Sequence, residues 1–277
     1  MKNIGLSILA LFLLLACSES KKQPEENWKF LKTVQLEGVS PLGIAEIDNT
    51  IWISDGVGNR IVSLAENNEA VRTLDSFSRP MHIATDGKNL LIPEFKENRI
   101  TITSGAERSV IPIKDSLKAP SSVSVFKNEM AISYFDDNQV LFTNNGVDWL
   151  QIGKNDSKAL YQPTDVQITQ DTIWIADGYN NRVQVYDKKG ALLTSIGNDD
   201  DLNVAMGLYV TDERLFVTDF ENNRVLIYTH QGDLLQEISE KIQSPSDIYV
   251  RNNNLYILNY LAGNVAIYEY TSSEDTK

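Results

Sequence analysis

The chain has a single cysteine, Cys17. No intramolecular disulfide can form, so the fold is held by packing and hydrogen bonds. Histidine is almost as scarce. His82 and His230 are the only two, which excludes a metal site built from three imidazoles. Cations are in deficit: 25 Lys and Arg stand against 38 Asp and Glu, a net charge of −13. A surface of that sign repels phosphate backbones and disfavours nucleic acid as a partner. Gly-rich phosphate loops, a nucleophile elbow and a cysteine nucleophile are missing too.

Long apolar runs are absent, with one exception. Residues 4–16 are almost wholly apolar and follow Lys2. The run is short for a bilayer span and sits behind a basic residue, so it reads as an export signal. It ends Leu14-Leu15-Ala16-Cys17, which resembles the lipobox of bacterial lipoproteins. That resemblance implies a signal peptide over residues 1–16 and a lipidated Cys17. Ser18, the next residue, implies the outer membrane of a Gram-negative envelope. Residues 17–27 are polar and read as a flexible tether, and 271–277 as a disordered tail. With so acidic a chain, the lipid would be the only membrane contact. The domain between, residues 28–270, is expected to be monomeric.

That domain is repetitive. Ala176-Asp-Gly-Tyr-Asn-Asn-Arg-Val-Gln-Val-Tyr186 returns 42 residues later as Thr218-Asp-Phe-Glu-Asn-Asn-Arg-Val-Leu-Ile-Tyr228. Pro41, Pro80, Pro120, Pro163, Ala205 and Pro245 form one series. Asp55, Glu94, Tyr134, Asp177, Asp219 and Asn259 form a second, always 14 residues after the first. Each copy contains four short strands of period two. In the fourth these are residues 165–168, 172–176, 182–186 and 191–196, with Gly190 closing the turn before the last. No stretch of the domain has a helical period. Four short strands per forty-odd residues, six times over, predict an all-β six-bladed propeller of four-stranded antiparallel blades. The sixth copy lacks a fourth strand. Residues 28–36 can supply it and close the ring.

The motif Pro-x-x-Val/Ile/Leu, a strand, then Asp-x-x-x-Asn-Arg-Val resembles the NHL repeat over residues 28–270. It reads Asp55-Gly-Val-Gly-Asn-Arg-Ile61, Glu94-Phe-Lys-Glu-Asn-Arg-Ile100, Asp177-Gly-Tyr-Asn-Asn-Arg-Val183 and Asp219-Phe-Glu-Asn-Asn-Arg-Val225. Copies three and six depart from it, as Tyr134-Phe-Asp-Asp-Asn-Gln-Val140 and Asn259-Tyr-Leu-Ala-Gly-Asn-Val265. An acid beside a guanidinium can form a charge-assisted clamp across a tight loop. The pairs Asp55/Arg60, Glu94/Arg99, Asp177/Arg182 and Asp219/Arg224 are therefore structural. Copies three and six need looser loops or another brace.

The face carrying these loops also carries the entry to each innermost strand. The residue two beyond each Pro should lie near the mouth of the central channel: Gly43, His82, Ser122, Asp165, Gly207 and Asp247. Asp165 and Asp247 could cap adjacent backbone amides, with His82 a polar channel residue, or the three could serve as a general acid/base or divalent-cation set, Asp165 and Asp247 being the candidate metal ligands. No other cofactor is indicated. The same loops carry Phe95, Tyr134, Phe135, Tyr179, Phe220 and Tyr260, which could stack on a ligand or pack blade on blade. Residues 198–201, Asn-Asp-Asp-Asp, lack the ligand spacing of a calcium loop and read as a solvated turn.

Two enzyme families resemble the domain without lending it a site. The peptidyl-amidating lyases hold zinc with three histidines, and His230 falls in a hairpin turn on the face away from His82. The calcium lactonases place Glu, Asn and Asp around the channel. Here the residue after each Pro is Leu42, Met81, Ser121, Thr164, Met206 or Ser246. The expectation is an exported, lipid-anchored module of the cell envelope. It would bind a protein, peptide or glycan through its loop face. The alternative is a metal-dependent hydrolase or lyase working at the channel.

Overall fold

A computed structural model describes residues 27–64, 70–104, 107–113, 116–154 and 159–271. Signal peptide, Cys17, the tether up to residue 26 and the tail from residue 272 fall outside this set. Asn27 and Thr271, expected in the tether and the tail, are instead hydrogen-bonded to each other, Asn27 O accepting Thr271 N at 3.0 Å. Six four-stranded antiparallel sheets make up the domain, with one 3-10 turn, Gly178–Asn180, as its only helical element among the described residues. Blade four holds strands Asp165–Ile168, Thr172–Asp177, Arg182–Asp187 and Leu192–Ile196, each within a residue of the sequence reading. In the two middle strands β-branched and aromatic residues dominate and both faces are buried, because each blade packs on two others, while the outermost strand Leu192–Ile196 is largely exposed.

Blade six is built from both ends of the domain. Its strands Pro245–Arg251, Asn254–Asn259 and Asn264–Tyr270 are completed by Trp28–Gln35, in the order the sequence required. Trp28 pairs with Tyr270 and Gln35 with Asn264. The Trp28 ring sits edge-on to Phe216 at 5.9 Å and to Tyr270 at 5.2 Å. Gln236 of blade five brackets its backbone, accepting from Trp28 N at 3.1 Å and donating to Trp28 O at 3.0 Å.

Pairing fixes which residues share a face. Pro41 lies opposite Asp55, and Asp55 opposite Arg60. The entry to the innermost strand and the loop motif are thus together at one end of each blade, the loop face. Each acid is buried and does more than grip its Arg. Asp219 accepts Arg224 Nε at 2.7 Å, Asn222 Nδ2 at 2.9 Å and the amide of Asn203 at 2.8 Å. It therefore also fastens the chain entering its own blade. The following Asn has a function the sequence did not disclose. Asn59, Asn98, Asn138, Asn181 and Asn223 all have positive φ near 55°. Their side-chain oxygens accept amides of the next blade, from Arg79, Ala119, Gln162, Val204 and Ser244. Asn tolerates the left-handed backbone and supplies the acceptor. At the ring seam Gly263 replaces it, with φ +61°, and its carbonyl takes Leu36 N and Gln35 Nε2 instead.

Copies three and six are braced differently rather than left slack. In blade three Asp137 takes the Lys118 amide, while Tyr134 is buried in the core between blades two and three and is not a surface aromatic. In blade six Asn259 accepts Gln243 N at 2.9 Å and donates to Asn264 Oδ1 at 2.9 Å, a neutral version of the clamp.

Blade two places a Glu where others place Asp. Burial alone would raise the Glu94 carboxyl, but Arg99, Thr101 and the Ser78 amide together hold it below its ordinary 4.5. A depressed carboxyl contributes stability that is complete above pH 4.5 and is lost as pH falls through its lower folded value. Glu94→Gln should therefore lose stability at neutral pH and show a shallower acid limb in urea melts between about pH 5 and 3. Parallel limbs for variant and wild type would refute this linkage.

Candidate functional site

The six positions two beyond each Pro do converge on the axis, and they alternate. Blades two, four and six contribute His82, Asp165 and Asp247, and blades one, three and five contribute Gly43, Ser122 and Gly207. The glycines are required by packing. A Cβ on Gly43 would lie 2.6 Å from His82 Cα, and one on Gly207 would lie 2.5 Å from the Ser246 carbonyl. Small residues let the innermost strands close in, and the larger side chains of alternate blades fill the space.

Both carboxylates tie blades together. Asp165 Oδ1 accepts Ser122 Oγ at 2.6 Å and its neighbour Val166 N at 2.8 Å, while Oδ2 reaches blade five at Leu208 N, 2.8 Å. Asp247 repeats this, with Oδ1 on Ile248 N at 2.8 Å and Oδ2 on blade one at Ile44 N, 2.9 Å. Amide capping is therefore real. It uses only part of the acceptor capacity of four carboxylate oxygens.

His82 is positioned by a break in its own blade. Pro93, in the strand Leu90–Glu94, turns its carbonyl inward to accept Met81 N at 3.1 Å. The N–H that Pro93 lacks would have faced the same way, so the ladder is one bond short there. The innermost strand of blade two shrinks to Ala84–Thr85, and His82 N donates across to Ser121 O of blade three at 3.1 Å. The imidazole is 2% exposed, and neither ring nitrogen has a hydrogen-bond partner. Nδ1 lies 3.3 Å from Asp247 Oδ2, an ionic contact without hydrogen-bonding geometry. His82, Asp165 and Asp247 each offer a ligand atom, all within 4.8 Å of one another.

Charge at the three is strongly coupled. Burial pushes the Asp165 carboxyl up to about 6, with Asp247 adding to the push and His82 and hydrogen bonds from Ser122 and Leu208 opposing it. Burial works against a charged His82, but Asp247 and Asp165 outweigh it and hold the imidazole above 6.5. Asp165 and His82 are thus both shifted upward by a buried, charged setting, as acid/base groups in active sites often are.

Access to the three side chains runs away from the loop face. A cavity of about 290 Å³ extends from them along the innermost strands to Glu46, Thr85, Gln167 and Tyr249, and no loop-face aromatic lines it. Tyr249 Oη donates to Glu46 Oε2 at 3.0 Å at this far end. A larger groove of about 570 Å³ lies beside His230, but that ring faces Trp174 at 5.0 Å and its Nε2 lies 3.0 Å from the Thr211 carbonyl. The two histidines do not meet. The acidic turn gives its backbone to the clamp, Asp201 O accepting Asn222 Nδ2 at 2.8 Å.

The loop-face aromatics divide in two. Phe95, Phe135 and Tyr179 form an edge-to-face series across blades two to four, at 5.9 and 5.8 Å, extended by Tyr161 at 6.2 Å. Arg79 lies over Phe95 at 4.7 Å. Phe220 and Tyr260 pair separately at 6.2 Å. Tyr161 and Tyr179 are about half exposed, at 50% and 48%. Tyr161 and Arg79 were missed in the sequence because they precede the Pro, outside the loop motif.

Fold and repeat together define the class: a six-bladed all-β propeller carrying an NHL repeat. The NHL repeat model matches residues 160–186, most of blade four. A search of curated protein sequences finds no match. Among solved structures the chain is similar to a gluconolactonase from Xanthomonas campestris, with TM-score 0.74 and 14% identity over 89% of this chain and 95% of that one. It is also similar to virginiamycin B lyase from Staphylococcus aureus, with TM-score 0.65 and 15% identity over 88% of each chain. For a luciferin-regenerating enzyme the values are 0.67 and 10%, over 87% of this chain and 95% of that one. Identities this low speak for the shared propeller, which hosts many functions.

Proposed function

We propose that this protein is an exported, lipid-anchored propeller of the cell envelope that binds a protein, peptide or glycan through its loop face. The aromatic arc from Phe95 to Tyr161 carries the reading. Half-exposed Tyr161 and Tyr179 on a rigid scaffold offer contact area at little entropic cost, and Tyr suits both sugars and peptide side chains. The strand Trp28–Gln35 begins at the opposite end of its blade, so a tether from Cys17 would leave the arc facing away from the membrane. The test is capture from envelope extract and from a glycan panel, comparing wild type with Tyr161→Ala/Tyr179→Ala. A ligand retained by wild type and lost by the variant is expected, and equal retention would rule out the arc.

A second reading, a metal-dependent hydrolase or lyase, is favoured by one observation: His82, Asp165 and Asp247 meet at the inner end of a cavity. The solved neighbours that are lyases and a gluconolactonase agree with it in fold only.

A further inference from the structure

We propose that His82, Asp165 and Asp247 form a three-ligand site for a divalent transition cation of the Zn²⁺ class, with its open coordination position facing the cavity. The inference shares its location with the second reading but concerns binding alone, so turnover is tested separately.

The ligands come from alternate blades, and so approach the axis from three well-separated directions around the ring. That leaves the axial direction free, and the cavity of about 290 Å³ occupies one side of it. Three protein ligands and one open position are the arrangement of reactive zinc sites. With metal–ligand bonds of about 2.0–2.1 Å, the edge of a zinc tetrahedron is about 3.3–3.4 Å. The edge from His82 Nδ1 to Asp247 Oδ2 is already 3.3 Å, and all three ligand atoms lie within 4.8 Å of one another, so binding needs at most a small closing movement of Asp165.

His82 supplies the independent argument. An imidazole 2% exposed, with Nδ1 held only by an ionic contact to Asp247 and Nε2 facing no polar partner, forfeits hydrogen bonds it would make in water. A coordinated cation supplies the missing partner. The carboxylates are already oriented by amide and hydroxyl donors, Ser122 and Leu208 on Asp165 and Ile248 and Ile44 on Asp247. Such outer partners fix metal ligands in place. The donor set also selects the ion. One imidazole and two carboxylates suit Zn²⁺ or its neighbours, whereas Ca²⁺ requires six to eight oxygens, more than this site offers.

The experiment uses the full chain with Cys17→Ser, so that the lone thiol cannot bind metal. The protein is stripped with EDTA, dialysed against Zn²⁺ or Ca²⁺, and assayed for bound metal, and Co²⁺ is added as an optical probe. One equivalent of Zn²⁺ per chain, no stoichiometric Ca²⁺, and tetrahedral Co²⁺ bands are expected. His82→Ala removes no hydrogen bond and should keep the circular dichroism of the fold while weakening Zn²⁺ at least about 100-fold, since even outer partners are worth 10–100-fold. Absence of stoichiometric Zn²⁺, or equal Zn²⁺ affinity in a folded His82→Ala, overturns the site. Zn²⁺ bound without turnover on a panel of lactones and esters upholds the site and removes the hydrolase reading.

Discussion

A chain lacking residues 28–35 should fail to give a single cooperative unfolding transition. The strand they form supplies the outer edge of blade six, buries Trp28 against Phe216 and Tyr270, and exchanges two hydrogen bonds with Gln236. Burying one large aromatic contributes about 1.5–3 kcal/mol, and each hydrogen bond about 0.5–1.5 kcal/mol net. Over eight residues that sum rivals the whole stability of a domain, about 5–15 kcal/mol. The loss is compounded by the exposed edge Asn264–Tyr270, which invites pairing with another chain. Circular dichroism melts and size-exclusion chromatography check this. A truncated chain melting within a few degrees of the parent and eluting at the same volume would show that the seam contributes little.

Asp219→Asn should cost roughly 1.5–3 kcal/mol, the scale of a hydrogen bond to a charged group, since Arg224 keeps Glu237 and the Asp200 carbonyl. Asp219 is fully buried, and Arg224 Nε would face an amide in place of the carboxylate. Blade six shows how to recover it. There Asn259 meets Asn264 at 2.9 Å and still takes the entry amide, of Gln243. Asp219→Asn combined with Arg224→Asn should therefore be more stable than Asp219→Asn alone, with a coupling of at least about 1 kcal/mol in a double-mutant cycle. Urea titrations of the four proteins give that number. Additive losses would show that the repeat's two clamps are not interchangeable, and that blade six owes its loop to something else.

The repeat was legible because its signals are local. Alternation along a strand, the turn at Gly190 and the 14-residue offset from Pro to Asp survive without knowledge of any contact. They sufficed for the strands of blade four and for the use of residues 28–36 in blade six. The clamp was legible for the same reason, since Asp177 and Arg182 flank one loop. Features set by the approach of two blades were hidden. The Asn staple needs the amide of a residue twenty or more positions away, as between Asn59 and Arg79 or Asn181 and Val204. The displacement of His82 depends on a missing N–H at Pro93 in another strand. Tyr134 reads as a loop aromatic because its burial arises from the neighbouring blade. The three axial side chains were placed together from spacing alone, but the cavity beside them is lined by residues of all six blades that no local pattern links.

The seam strand also determines how the molecule bears load. Trp28–Gln35 starts at the end of the blade away from the loops and runs alongside Asn264–Tyr270 for its whole length. Tension on the N-terminus against a body held at its loop face acts along the strand axis. The ladder is then sheared, with all its bonds strained at once, rather than peeled rung by rung. Rupture under force is set by the rate of crossing the unfolding barrier, and shear raises that barrier. A molecule moored by this end would keep its ring closed under drag that would unzip a hairpin pulled sideways.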